Sequence, residues 1–213
     1  MLTNIHNKSR GDTLIEVLFA ISIFSLVAVG GLSIMNQGTA TSQRALEITL
    51  VRNEIDAQAE TLRFLNASYI AAYQSGISYL PTTPAGQWSL MLDSIKLTAN
   101  TTVSNFGVSA ASQCPTHPNG SFIMNTRKAT FIAPSAEKLF SAEVFSKVLY
   151  DTVNGLISAQ GMWIEAIRST TVAVNNQANA GYIDFHIRAC WDSPGQSIPI
   201  TIGTIVRLYE PRG

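Results

Sequence analysis

The two cysteines and two of the three histidines of the chain could ligate a metal ion, and they form two short pairs along the chain. The pairs are Cys114 with His117 and His186 with Cys190. Together they would offer the sulfur and nitrogen ligands that zinc prefers. However, the alternation around the second pair predicts a β-strand, in which four residues span about 13 Å, too far for two ligands of one ion. We therefore predict no metal site and no bound cofactor.

A second set of reactive side chains consists of Asp184, His186 and Arg188, which alternate along the same predicted strand. Polar residues in alternation usually form the solvated face of a strand, and we interpret these three in that way. The sequence contains no nucleophile elbow, no phosphate-binding loop and no carboxylate pair in a defined context. We therefore predict that the protein is not an enzyme.

The amino-terminal segment carries the strongest compositional signal. Residues Leu14–Met35 are almost entirely apolar, and a helix of this length crosses about 30 Å of hydrocarbon. Lys8 and Arg10 precede it, so we expect the short amino-terminal side in the cytoplasm and the bulk of the chain outside the inner membrane. Only 13% of the residues are charged, about half the usual share, which fits a chain partly outside water.

Glu16 is the exception within the apolar run. A carboxylate in a membrane span costs about 3 kcal/mol at the membrane centre and less near the surface. An acid in such a position is a functional hypothesis by default, although the side chain of an isolated helix could also reach the lipid headgroups.

The sequence RGDTLIEVL at residues 10–18 follows a short basic leader and opens the apolar run. This arrangement resembles the prepilin motif of type IV pilins and type II secretion pseudopilins, and the resemblance covers about residues 8–65. In that family a prepilin peptidase cuts after the glycine and methylates the new amino terminus. The resemblance implies that Gly11 ends the leader, that Asp12 is the first mature and N-methylated residue, and that Glu16 is the assembly glutamate.

One departure from the family pattern concerns the first mature residue, which is usually large and apolar but here is Asp12. An alternative cleavage site, for ordinary signal peptidase, is the small-residue sequence Gly38-Thr39-Ala40. A secretory signal would not explain why the apolar run contains Glu16, so we favour cleavage after Gly11.

The extracytoplasmic location also bears on Cys114 and Cys190, the 2 cysteines of the chain. Oxidising compartments favour disulfides, so we predict that these two residues form one bridge. Two isolated buried thiols are the alternative.

Residues 37–76 are predicted to continue the membrane helix as an amphipathic half. No glycine or proline occurs from Thr39 to Tyr73, and apolar residues recur at three- and four-residue steps. The whole helix of about 60 residues would be about 90 Å long and would end at Gln74-Ser75-Gly76. The apolar stripe consists of Ile48, Val51, Ile55, Ala59, Leu62, Leu65 and Tyr69.

Residues 77–213 are predicted to form an extracytoplasmic head. Its first part, as far as Ser121, is rich in turn-forming residues and is interpreted as a connecting region with short strands. The segment Ser135–Phe145 fits either a short helix or an irregular entry into a hairpin. The predicted strands and turn are Val148–Tyr150, a turn at Asp151–Gly155, Leu156–Arg168, Tyr182–Trp191 and Ile198–Tyr209.

A long amphipathic helix laid against a small antiparallel sheet gives an α+β head, which matches the pilin-like fold that the resemblance implies. The predicted organisation is a leader at residues 1–11, a transmembrane half-helix at 12–36, an amphipathic half-helix at 37–76 and the head at 77–213.

The resemblance implies a structural subunit, either a minor pilin or a pseudopilin, which moves from the inner membrane to a surface pilus or pseudopilus. Its partners would be the prepilin peptidase, other pilin subunits through the amino-terminal helix, an inner-membrane assembly platform and the lipid bilayer. Nucleic acid is not indicated, since the formal net charge is +0. The alternative is a membrane-anchored extracytoplasmic binding or enzymatic domain that does not polymerise.

Overall fold

The computed structural model describes residues 12–73, 78–98, 113–133, 138–151, 157–168 and 181–210. The chain divides into two compact units, Met1–Ala45 and Leu46–Gly213. Three predicted features lie outside the described residues: the leader through Gly11, the helix stop at Gln74–Gly76 and the hairpin turn after Asp151.

The first described element is the helix α1, which spans Asp12–Ala72 and so begins in the first unit and ends in the second. Its most apolar part has a mean hydropathy of 2.4, and no residue of that part is buried. By length and composition this helix is able to cross a membrane. The long amino-terminal helix of the predicted fold is therefore confirmed.

In the second unit, one side of α1 forms part of the hydrophobic core. The buried residues recur at helical spacing, and Ile48 and Tyr69 pack partly buried against them. This burial confirms the predicted stripe on this part of the helix. The fully or nearly fully buried members are Val51, Ile55, Ala59, Leu62 and Leu65.

A second helix, α2, spans Pro84–Thr98 and corrects the prediction of a connecting region with short strands. The Thr83 hydroxyl accepts a hydrogen bond from the Gly86 N–H at 3.1 Å, and Pro84 lies at the first helical position, which needs no N–H donor. A Cβ atom on Gly86 would lie 1.9 Å from the Leu80 carbonyl oxygen, so this turn requires glycine. Turn-forming residues thus start this helix, whose buried stripe is Trp88, Met91, Leu92 and Ile95.

The remaining described elements are eight strands in three sheets. The strands are β1 (Ile123–Asn125), β2 (Thr130–Ile132), β3 (Leu139–Phe140), β4 (Lys147–Tyr150), β5 (Ile157–Gln160), β6 (Met162–Arg168), β7 (Tyr182–Trp191) and β8 (Ile200–Tyr209). The sheet orders are β1-β2, β3-β5-β4 and β6-β7-β8. All neighbouring strands are antiparallel except β3 and β5, which are parallel. These sheets and the two helices confirm the α+β class.

The predicted strand Leu156–Arg168 is wrong as a single element, because it divides at Gly161 into β5 and β6 of two different sheets. Gly161 has a φ of +65°, and a Cβ atom there would lie 2.4 Å from the Cys190 carbonyl oxygen. The strand β3 replaces part of the ambiguous segment Ser135–Phe145 with a short parallel pairing to β5. The antiparallel pairing of β4 with β5 confirms the predicted hairpin.

Helix α1 lies along β8 in the same direction. The Trp191 indole donates a hydrogen bond to Glu47, and Trp191 is paired with Ile200 at the start of β8. Nineteen residues along the helix, Asn66 donates to the carbonyl oxygen of Tyr209 at the end of β8 at 3.3 Å. The apolar face of the β6-β7-β8 sheet and the buried side of α1 belong to the same hydrophobic core.

Candidate assembly site

The first part of α1 exposes its apolar surface. From Leu14 to Met35, every large apolar side chain is more than half exposed, from Val17 at 56% to Leu26 at 74%. Burying one such side chain is worth about 1.5–3 kcal/mol, so leaving the whole set in water costs tens of kcal/mol. This surface requires lipid or other polypeptide chains around it.

Polar groups within the apolar run fall into two classes. The hydroxyls of Ser22 and Ser25 donate to the carbonyl oxygens of Leu18 and Ile21, each at 2.8 Å, and are satisfied by the helix itself. The Glu16 side chain is exposed and makes no hydrogen bond or ion pair with the described residues. Glu16 is therefore the position in the run at which an external partner would have the largest effect.

The structure places Asp12 at the first residue of α1 and Glu16 one turn further along. Four residues of helix rise about 6 Å, so the carboxylate of Glu16 lies close to the amino-terminal end of the helix. There the helix dipole favours negative charge. Gly11, which the sequence analysis names as the cleavage residue, lies outside the described residues.

Residues 6–32 match the family model for the prokaryotic N-terminal methylation motif. This is the prepilin-type cleavage and methylation signal. The comparisons with curated proteins and with solved structures give no match. The prepilin signal supports a type IV pilin-like or pseudopilin precursor and points to a structural subunit.

The prepilin signal also implies processing by a prepilin peptidase and assembly with other pilins. Together with the long apolar helix, it fits a membrane-anchored pilin. The α+β architecture of the second unit is consistent with a pilin fold. The motif and the exposed apolar surface thus coincide on one stretch of chain, which makes the start of α1 the candidate assembly site.

In the head, a disulfide joins Cys114 to Cys190, with the Cα atoms 5.7 Å apart. Cys190 is buried on β7, whereas Cys114 lies partly exposed in the segment before β1. The bridge therefore fastens that segment to the central strand of the β6-β7-β8 sheet. Both sulfur atoms are consumed in the disulfide, so neither is a thiolate ligand for a metal ion.

The interpretation of Asp184, His186 and Arg188 as one solvated face is wrong for two of the three. His186 is 9% exposed and Arg188 4%, and they lie beside Glu165 of β6, which is 2% exposed. A guanidinium nitrogen of Arg188 is 3.4 Å from a carboxylate oxygen of Glu165. Burial, aided by the positive charge of Arg188, holds the pKa of His186 below its usual 6.5.

Asp184, on the same face but nearer the start of β7, is partly accessible. Arg207 of β8 donates two hydrogen bonds of 2.7 Å to its carboxylate, and these bonds lower the pKa of Asp184 below 3.8. The guanidinium also lies over the ring of Tyr182, 4.0 Å from its centroid. We interpret this cluster as an exposed structural ion pair.

Three polar residues of α1 that the sequence analysis did not single out fasten the helix to the head. Glu47 accepts hydrogen bonds from the Trp191 indole at 3.1 Å and from the Ser193 hydroxyl at 2.8 Å. Gln58 is fully buried, and its amide both donates to and accepts from the backbone of Met124 at 3.0 Å. Glu47, Gln58 and Asn66 lie on or beside the apolar stripe of α1. A polar residue at such a position is the sequence signal that could have predicted these contacts.

Proposed function

We propose that this protein is a minor pilin or pseudopilin that is cleaved after Gly11 and assembled into a surface filament. One observation carries the proposal: the apolar surface of Leu14–Met35 is uncovered, and its one carboxylate, Glu16, lies within the prepilin signal. A membrane covers such a surface before assembly, and the same helices of neighbouring subunits cover it in a filament.

Cleavage supplies the partner that Glu16 lacks. Hydrolysis of the Gly11–Asp12 bond creates a new α-amine, which remains positively charged at neutral pH after the addition of one methyl group. In a filament the amine of one subunit would lie beside the Glu16 carboxylate of the next. Leaving either charge unpaired in an apolar environment is strongly unfavourable, so this pair would fix the axial register of the subunits more than it would add stability.

The proposed topology has the amino terminus in the cytoplasm and the head outside the inner membrane. Lys8 and Arg10 favour this orientation before cleavage. The Cys114–Cys190 disulfide supports it, since such bridges persist in oxidising compartments. In this topology the inner-membrane assembly platform would extract the subunit from the bilayer and add it to the filament base.

The processing step is tested by the variant Gly11→Val, with Gly38→Val as a matched control. Intact-mass analysis of wild-type protein extracted from membranes should show the loss of residues 1–11 and the gain of one methyl group. Gly11→Val should keep the whole leader, because a β-branched side chain obstructs the cut. Gly38→Val should be processed normally, since a Cβ atom at Gly38 has nothing within 4 Å.

A mature chain that begins at Thr41 would instead identify ordinary signal peptidase. An uncut chain that starts at Met1 would favour the anchored domain that does not polymerise. Either result would contradict the proposed function.

A further inference from the structure

Strand β8 is an edge strand whose outer side carries an alternating row of hydrogen-bonding groups. It pairs with β7 along ten residues, and no described strand pairs with its other side. The backbone N–H of Glu210 donates to the Gly181 carbonyl oxygen at 2.8 Å, so the backbone N–H and C=O groups of residue 210 point toward β7. Because this direction alternates from residue to residue along an antiparallel ladder, the contact fixes the direction of the backbone groups throughout β8. The residues whose N–H and C=O groups point away from β7 are Thr201, Gly203, Ile205, Arg207 and Tyr209.

An independent contact agrees with this alternation. The side-chain amide of Asn66 donates to the Tyr209 carbonyl oxygen, which must therefore point away from β7. This contact occupies the carboxyl end of the edge. The open part of the edge consequently runs from Thr201 to Arg207.

The open edge lacks the devices that usually prevent strand pairing. Natural edge strands are short, contain lysine or proline, or are interrupted by bulges. β8 has ten residues in continuous register, no proline and a single charged residue, Arg207, whose charge is neutralised by Asp184. Ile205, at the centre of the open edge, is 61% exposed. The edge is thus long, regular and effectively uncharged.

A groove between α1 and the open edge has room for the side chains of an added strand. It has a volume of about 470 Å³ and is lined by Arg52, Ile55 and Asp56 of α1 and by residues Thr201–Thr204 of β8. Successive side chains of a strand point to opposite faces, so an added strand would place alternate residues in this groove and the others beside Ile205. Arg52 and Asp56 bring opposite charges, so the groove fits an uncharged strand.

We propose that the open edge of β8 binds an extended, uncharged segment of a second copy of this chain, so that β-strand addition joins neighbouring heads. This inference rests on the proposed function, in which neighbouring copies have their α1 helices in the same direction. Because α1 and β8 run in one direction, such neighbours cannot pair their β8 strands antiparallel. A different segment of the second copy then occupies the edge, and a contact between unlike surfaces propagates into a filament instead of closing a dimer.

Amide hydrogen exchange tests the inference on the full mature chain, compared between detergent micelles and filaments sheared from cells that overproduce it. In micelles the outward amides of Gly203, Ile205 and Arg207 should exchange quickly, whereas those of Thr204 and Val206 are protected by β7. In filaments the outward amides should slow by at least about 100-fold, while the inward ones change little. The alternating pattern separates strand addition from general burial, which would slow exchange without alternation.

A photo-crosslinking residue at position 205 identifies the donor segment in the same filaments. Capture of another copy of this chain supports the inference, and capture of a different protein overturns it. The variant Ile205→Lys should reduce incorporation into filaments at least about fivefold, because a charge opposes strand addition. The matched control is Leu80→Lys, which changes an exposed residue outside β8 and should incorporate normally.

The two proposals fail in different ways. If filaments form and their outward amides still exchange as quickly as in micelles, strand addition is wrong while the filament subunit stands. If the wild-type chain never leaves the membrane fraction, the filament subunit and the strand addition that rests on it are both wrong.

Discussion

Glu16 and Glu47 lie on the same helix, yet their surroundings are opposite. Glu16 is exposed within an apolar run and has no described partner, whereas Glu47 is 8% exposed and accepts hydrogen bonds from Trp191 and Ser193. An acid among apolar residues needs compensation wherever it lies. The chain supplies that compensation for Glu47 itself, and for Glu16 it must come from another molecule.

The same difference separates the two units around these residues. In the second unit, helix and sheet bury each other's apolar residues, and buried polar groups such as Gln58 meet partners of the same chain. In the first unit, the apolar residues of Leu14–Met35 remain exposed. The second unit therefore contains the contacts that stabilise its fold, whereas the first needs lipid or other chains to cover its apolar residues.

The largest expected effect is on assembly, in the variant Glu16→Val. Removing the charge should leave membrane insertion, cleavage and the fold of the head intact, because the substitution lowers the cost of the span, leaves the scissile Gly11 unchanged and lies outside the head. The ratio of filament-associated to membrane-retained protein should fall at least about tenfold, since an unpaired buried charge costs about 3–5 kcal/mol. Ser25→Val, which removes a hydroxyl satisfied within the helix, is the matched control. Equal ratios for wild type and Glu16→Val would show that Glu16 is not an assembly residue.

A second effect concerns the fold of the head. Loss of the disulfide, which closes a sequence separation of 76 residues, should lower the free energy of unfolding by about 2–4 kcal/mol. Cys114→Ser is the better variant for this measurement, because Cys114 is only partly buried. A serine hydroxyl at position 114 therefore loses less contact with water than one at position 190. Denaturant unfolding in detergent measures the change. The variant with both cysteines replaced by serine should be only slightly less stable than Cys190→Ser. Free alkylation of both thiols in native wild-type protein would contradict the disulfide.

A smaller effect is expected at Glu47, whose hydrogen-bond partners belong to the same chain. Glu47→Ala leaves the Trp191 N–H and the Ser193 hydroxyl without their acceptor and should cost about 1–3 kcal/mol of head stability. Glu60→Ala is the control on the same helix, where the side chain is 70% exposed, and should change stability by less than about 0.5 kcal/mol. Equal costs for the two variants would mean that Glu47 contributes no more than a surface residue.

The smallest effect is a dependence on pH. Burial and Arg188 hold the pKa of His186 in the folded head below 6.5, so below that pH the unfolded chain binds the proton more readily than the folded chain. Stability should therefore fall as the pH drops from 7.5 to 5.5, although Glu165 and Asp184 act in the opposite direction on this pKa. His186→Gln should flatten this part of the profile. A profile unchanged by the substitution would assign the dependence to another group.

Much of the architecture follows from local patterns. The strand β7 has the bounds predicted from its alternation, β8 begins two residues later than predicted, and the apolar stripe of α1 is the buried one. Helix α2 was also within reach, because the Thr83-Pro84 start and the spacing of Trp88, Met91 and Ile95 are local signals. The prediction of a connecting region there is wrong because proline and glycine at a helix start do not interrupt the helix.

The prepilin signal, the apolar run with its single acid, the helical stripe and the strand alternation follow from the order of residues, because each depends on neighbours along the chain. The burial of His186 and Arg188 beside Glu165, and the passage of the chain at Gly161 from one sheet into another, depend on how distant segments pack. Alternation shows that two faces of a strand differ, but not what covers each face. That depends on which distant segments pack there, as Glu47 finds Trp191 across a separation of 144 residues.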